Sequence, residues 1–193
     1  MTLHDNPLRS WTAIAAVAAV QTAILAYMVW DRVSLLRSGR EVVVDVVPID
    51  PRSLFRGDYV RFNYDFARID REVRDVTLPR AGNPIFVLLE KAGDGKWKIL
   101  KAADTTIAGA DDAHVLLKGQ IQRGWTTRHP DSRPIDVRYG IESYFVPEGE
   151  GKELEKLVGE KRISVVLTVG ADGTAAIKGI LADGKPIVQE KPL

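Results

Sequence analysis

Residues 58–66 read Asp58-Tyr59-Val60-Arg61-Phe62-Asn63-Tyr64-Asp65-Phe66. Val60, Phe62, Tyr64 and Phe66 fall on one side of a period of two, and Tyr59, Arg61, Asn63 and Asp65 on the other. Alternation of this kind marks a β-strand with one face on a core and the other in water. Half-buried strands belong to antiparallel sheets rather than to fully covered parallel ones.

The flanking sequence extends the β reading. Glu41-Val42-Val43-Val44-Asp45-Val46-Val47-Pro48-Ile49 is dense in valine and predicts a buried strand broken by Pro48. A loop, residues 50–57, joins it to the alternating stretch. Residues 85–91 and 96–102 flank Ala92-Gly93-Asp94-Gly95 and predict a hairpin. Residues 115–125 and 135–141 predict two more strands around a polar, proline-bounded loop at 126–134. Residues 152–158, between Gly151 and Gly159, predict a helix. Residues 162–169, 174–181 and 185–188, separated by Asp172-Gly173 and Asp183-Gly184, predict a closing meander. The expected fold is mainly β: one N-terminal transmembrane helix followed by an antiparallel β sandwich or partly open barrel with one short helix.

That first helix is residues 11–30, WTAIAAVAAVQTAILAYMVW, which carry no charge; Gln21 is the most polar among them. Twenty helical residues cover about 30 Å, the thickness of the hydrocarbon layer. Trp11 stands at one end and Tyr27 with Trp30 at the other, the positions of interfacial aromatic anchors. The run exceeds the roughly 7–15 apolar residues of a signal peptide, and no small-x-small site follows before charge resumes, so a retained anchor is expected. Residues 31–38 continue as an amphipathic stalk with Val33, Leu35 and Leu36 apolar, and Gly39 supplies a stop. The chain divides into an N-terminal segment (1–40), a β-rich domain (41–188) and a tail (189–193). Flanking arginines, Arg9 before the span against Arg32, Arg37 and Arg40 after it, place the domain in the cytoplasm by the positive-inside rule.

Composition narrows the chemistry. Net charge is +1, which argues against a nucleic-acid partner. There is no cysteine, so disulfides, thiolate catalysis and Cys-ligated metals are excluded. His4, His114 and His129 share no metal-ligand spacing, and no phosphate loop or nucleophile elbow occurs; neither metal nor cofactor is expected. Two polar constellations remain as candidate binding residues: Asp50, Arg52, Arg56, Asp58, Tyr59, Arg61 and Tyr64 in the first, and Arg138 and Glu142, with Tyr139, Tyr144 and Glu148, in the second. Capping of backbone amides, ion pairing and phenol hydrogen bonds would account for both without any ligand.

The segment Pro48-Ile-Asp-Pro-Arg-Ser-Leu-Phe-Arg-Gly-Asp-Tyr-Val-Arg-Phe-Asn-Tyr64 resembles the signature of the GDYXXLXY family of membrane-anchored bacterial proteins. Gly57, Asp58, Tyr59 and Tyr64 match the name-giving positions, and Phe62 stands where the name has leucine. Residues 138–148 and 170–179 are similar to later family segments. The resemblance implies an N-terminal anchor, one domain on the periplasmic side of the bacterial inner membrane, and a multi-spanning membrane protein as partner alongside the lipid bilayer. It supplies no catalytic residues. Three roles follow as expectations: a non-enzymatic binding or accessory module, a hydrolase using carboxylates near the Gly57-Asp58-Tyr59 loop, or a scaffold self-associating through Ala15, Ala16, Ala18, Ala19 and Ala23. A fainter likeness of residues 54–60 to bacterial signal peptidases is set aside, since no serine lies at 46–50 and no lysine motif follows.

Overall fold

A computed structural model describes residues 7–47, 59–70, 72–76, 80–109, 111–122, 134–146 and 151–189. Helix α1 (Pro7–Ser38) runs unbroken through the apolar stretch and the stalk. It is long and apolar enough to cross a membrane, and its apolar window lies entirely outside the fold's interior. Trp11, Tyr27 and Trp30 are all exposed, and the last two rings sit 6.4 Å apart. Only the final turns meet the domain. Leu36 is buried, and Thr168 Oγ1, itself fully buried, donates to Leu35 O at 3.1 Å. The helix ends at Gly39, whose N–H donates to the same carbonyl at 2.9 Å. Gly39 does not adopt the left-handed conformation expected of a glycine stop. Its requirement is steric instead: a Cβ there would lie 2.6 Å from Leu35 O and collide with Thr168 Oγ1.

Among the described residues, twelve strands and a second helix follow. One antiparallel sheet places β1 (Arg40–Asp45), β10 (Ile163–Val169), β11 (Ala175–Ala182) and β12 (Lys185–Gln189) side by side in that order. A six-stranded sheet has the order β3 (Arg68–Ile69), β8 (Ile135–Arg138), β7 (His114–Ile121), β5 (Pro84–Lys91), β6 (Trp97–Ala103), β4 (Arg74–Asp75). A ribbon of β2 (Tyr59–Arg61) and β9 (Ser143–Phe145) joins them. The strands curl into a half-barrel around one core that includes Val44, Phe62, Ile85, Leu89, Leu117, Ile135, Leu167 and Ile180. Helix α2 (Gly151–Gly159) contributes Leu154 and Val158, one turn apart, to that core. Its reversal uses Lys161, at φ 57°, rather than Gly159.

Three expectations need correction. The valine-rich stretch is not buried on both sides: Val42, Val44 and Val46 face inward, while Val43 is 49% exposed. The burial pattern of β1 alternates, so only one face of the strand packs on the core and the other is exposed; among the described strands it pairs with β10 alone. The alternating stretch is not a continuous strand. After β2 it makes an isolated bridge, Asn63 to Val47, and then a 3-10 turn, Asp65–Ala67. Its alternation nonetheless persists, because Val60, Phe62, Tyr64 and Phe66 are each at most 3% exposed. Burial of each large side chain is worth about 1.5–3 kcal/mol, so a one-residue slip that put Arg61, Asn63 and Asp65 inside is prohibited. Among the described residues the antiparallel rule has one exception, the short parallel pair β4–β6.

Candidate functional site

The two constellations meet through β-pairing. Tyr59 lies opposite Phe145 and Arg61 opposite Ser143. Phe62 N donates to Glu142 O at 2.9 Å. Beyond the 3-10 turn, Arg68 lies opposite Asp136, and Gln120 opposite Arg138 on the next strand. Residues up to 82 positions apart in the chain thus line one cleft of about 740 Å³, with walls from Arg61, Asn63, Tyr64, Arg68, Gln122, Asp136, Arg138, Glu142 and Ser143. Of the residues singled out from the sequence, Arg61, Tyr64, Arg138 and Glu142 are brought together here. Phe62 sits beneath them in the core. Tyr59 contributes its backbone to β2. Pro48, Asp50, Arg52, Arg56, Gly57 and Asp58 lie outside the described residues, as do His4, His129 and Glu148.

The floor of the cleft is rigid. Tyr64 Oη donates to Ile141 O at 2.8 Å, and Tyr139 Oη donates to Phe66 O at 2.8 Å. The Tyr64 and Phe66 rings stack at 5.1 Å, and Phe66 meets Tyr139 edge-on at 5.5 Å. Each phenol therefore ties its own segment to the other. Burial, reinforced by the negative charge of Glu142, pushes both phenols far above the ordinary tyrosine value, which keeps them neutral hydrogen-bond donors. Glu142 closes the turn after β8. Its Oε1 accepts from Tyr139 N at 2.5 Å and its Oε2 from Gly140 N at 3.0 Å. Gly140 makes that turn possible, since its φ of 82° is strained for any residue with a Cβ.

The walls are different. Arg61, Arg68 and Arg138 occupy the outward positions of their strands, next to the inward Val60, Ile69 and Val137. Among the described residues none of the three has an ion pair or hydrogen-bond partner for its guanidinium. Two arginines elsewhere in the domain are fully engaged. Arg162 pairs with Asp183 and Glu160. Arg40 donates to the carbonyls of Asp111, Asp112 and His114. Arg68, Asn63, Gln122, Asp136 and Ser143 were not singled out from the sequence. Their outward phase on short strands is legible, but the pairing that assembles them is not.

Among the described residues no cluster of three His, Asp or Glu side chains could hold a metal. His114 is engaged with Asp111, Nδ1 to Oδ1 at 2.7 Å. No curated protein and no solved structure matches the chain. One family does, described as GDYXXLXY protein, over residues 21–180, a span that takes in the second half of α1 and the domain as far as β11. The cleft is thus built by residues inside the matched region, and the chain belongs to the GDYXXLXY family.

Proposed function

We propose that this chain is a single-pass, membrane-anchored binding or accessory module, with its β-rich domain outside the cytoplasm and a membrane or envelope component as partner. One observation carries the reading. The apolar face of α1 is exposed on every side, with Ile14, Val17, Val20, Ile24, Leu25 and Val29 each more than half exposed, while the same helix is fastened to the domain at its last turn. An uncovered apolar surface of this length is unstable in water and calls for a lipid environment. Arg40, one of the three arginines that argue for a cytoplasmic domain, is a structural part of the domain through its three carbonyl contacts. The periplasmic placement rests on the resemblance to membrane-anchored bacterial proteins, against that arginine count. Glu142 is committed to two backbone amides, which supports a binding role for the cleft; Asp50 and Asp58, on which the hydrolase reading rests, lie outside the described residues.

Reporter fusions at Leu193 test the placement. An active alkaline phosphatase fusion, a dark green-fluorescent-protein fusion and retention of the chain in carbonate-washed membranes are the expected results. A bright fluorescent fusion with inactive phosphatase would overturn the periplasmic placement, and release by carbonate would overturn the anchor.

A further inference from the structure

We infer that the cleft between the β2–β9 ribbon and the β3–β8 edge is an oxyanion-binding site, with Arg61, Arg68 and Arg138 gripping carboxylate or phosphate groups. The inference deepens the reading of the domain as a binding module.

Arg61, Arg68 and Arg138, from three different strands, line one concave surface, and none has a partner for its guanidinium among the described residues. Of the two acids in the same wall, Glu142 accepts from two backbone amides and Asp136, opposite Arg68, forms no ion pair with it, so three arginines stand against two carboxylates. The cleft is therefore net cationic and oriented for donation. A guanidinium presents a planar fork of N–H donors that matches a carboxylate or phosphate two bonds at a time. Asn63, Gln122 and Ser143 add amide and hydroxyl groups around the arginines, suited to further oxygens of the same ligand. A volume of about 740 Å³ admits a ligand with several such groups. The backbone carrying each arginine is fixed, because each stands on a strand whose inward neighbour is buried in the core.

Strand β1 starts beside the end of α1 at Arg40, and its continuation pairs with the cleft at Val47–Asn63. Seven residues of extended chain separate the two, roughly 20 Å along the strand. The ligand taken here is a free oxyanion.

Calorimetric titration of the full-length protein in neutral detergent micelles at low ionic strength, with citrate in one arm and pyrophosphate in the other, tests the site. At least one probe should bind saturably, and the responding arm identifies carboxylate or phosphate chemistry. Arg138→Ala and Arg61→Ala should each weaken that probe by about tenfold or more. Arg138→Lys should also weaken it, because charge without the fork is not equivalent. Lys98→Ala, an exposed cation on β6 outside the cleft, should leave it unchanged. Thermal melts of each variant separate lost binding from lost folding. Absence of saturable binding by either probe would overturn the site, as would equal losses from Arg138→Ala and Lys98→Ala. Neither result bears on the anchor, which the reporter fusions decide separately.

Discussion

Tyr64 ends the family signature, and the structure says why a phenol rather than a phenyl ring stands there. Its hydroxyl donates to Ile141 O at 2.8 Å in the core, joining the segment after β2 to the turn after β8. Tyr64→Phe keeps the ring, its stack on Phe66 and nearly all its buried area. It leaves one buried carbonyl without a partner, which costs about 1–3 kcal/mol. For a chain of this size each kcal/mol lowers the melting temperature by about 2–4 °C, so a loss of about 2 kcal/mol corresponds to roughly 4–8 °C. Circular dichroism melts of the full-length protein in detergent would measure it. Tyr139→Phe removes the reciprocal bond to Phe66 O, and the two changes share Phe66, so the double variant should depart from additivity by at least about 0.5 kcal/mol. The same bonds set an alkaline limit. Both phenols titrate higher when folded than when unfolded, so their contribution is intact below the ordinary tyrosine pKa, about 10, and is lost as pH rises above it. Tyr64→Phe should make the alkaline decline shallower. A Tyr64→Phe melt within about 1 °C of the parent, with an unchanged alkaline limb, would refute the argument.

Gly39→Ala should destabilise the junction of α1 and β10 by about 1–3 kcal/mol, seen as a lower melting temperature, because its Cβ has no room beside Leu35 O and Thr168. Trp97→Phe removes the bond from Nε1 to Val43 O at 2.9 Å and should cost about 1 kcal/mol, with faster amide exchange in β1 as the local readout. The hydrogen bond from the Thr174 hydroxyl holds the Asp172 carboxyl below the usual carboxylate range. Its stabilisation is present above the unfolded value, about 3.9, and is lost as pH falls through the lower folded one. Asp172→Ala should therefore melt below the parent at pH 7, and the gap should close as the solution is acidified past pH 4.

What the sequence disclosed was local. The period of two in residues 58–66 named four core side chains because alternation depends only on neighbours, and it survived even where the backbone left strand geometry. The Asp-Gly pairs at 94–95, 172–173 and 183–184 marked hairpins for the same reason, each glycine having a positive φ. Strands β3 and β4, two residues each, and β9, three, are too short to carry a period and were invisible. The exposure of Val43 is not legible, because a run of valines does not reveal that only one face of its strand is covered. Arg61 and Arg138 were legible as outward cations. That Arg68 joins them depends on the pairing of β3 with β8, a contact between residues about 67 positions apart that no local pattern encodes.

The unbroken course of α1 into Thr168 and Leu36 makes heading and height of the cleft a matter of helical phase. A helix turns about 100° and rises about 1.5 Å per residue. One alanine inserted between Trp30 and Ser34 would swing the arginine cleft about a quarter turn around the helix axis while barely raising it. Seven inserted residues would lift it by about 10 Å and restore its heading to within about 20°. A partner fixed in the same bilayer would feel the first change as a misaimed socket and the second as an overlong stem. Stalk insertions of one and seven residues therefore separate direction from reach in whatever this domain engages.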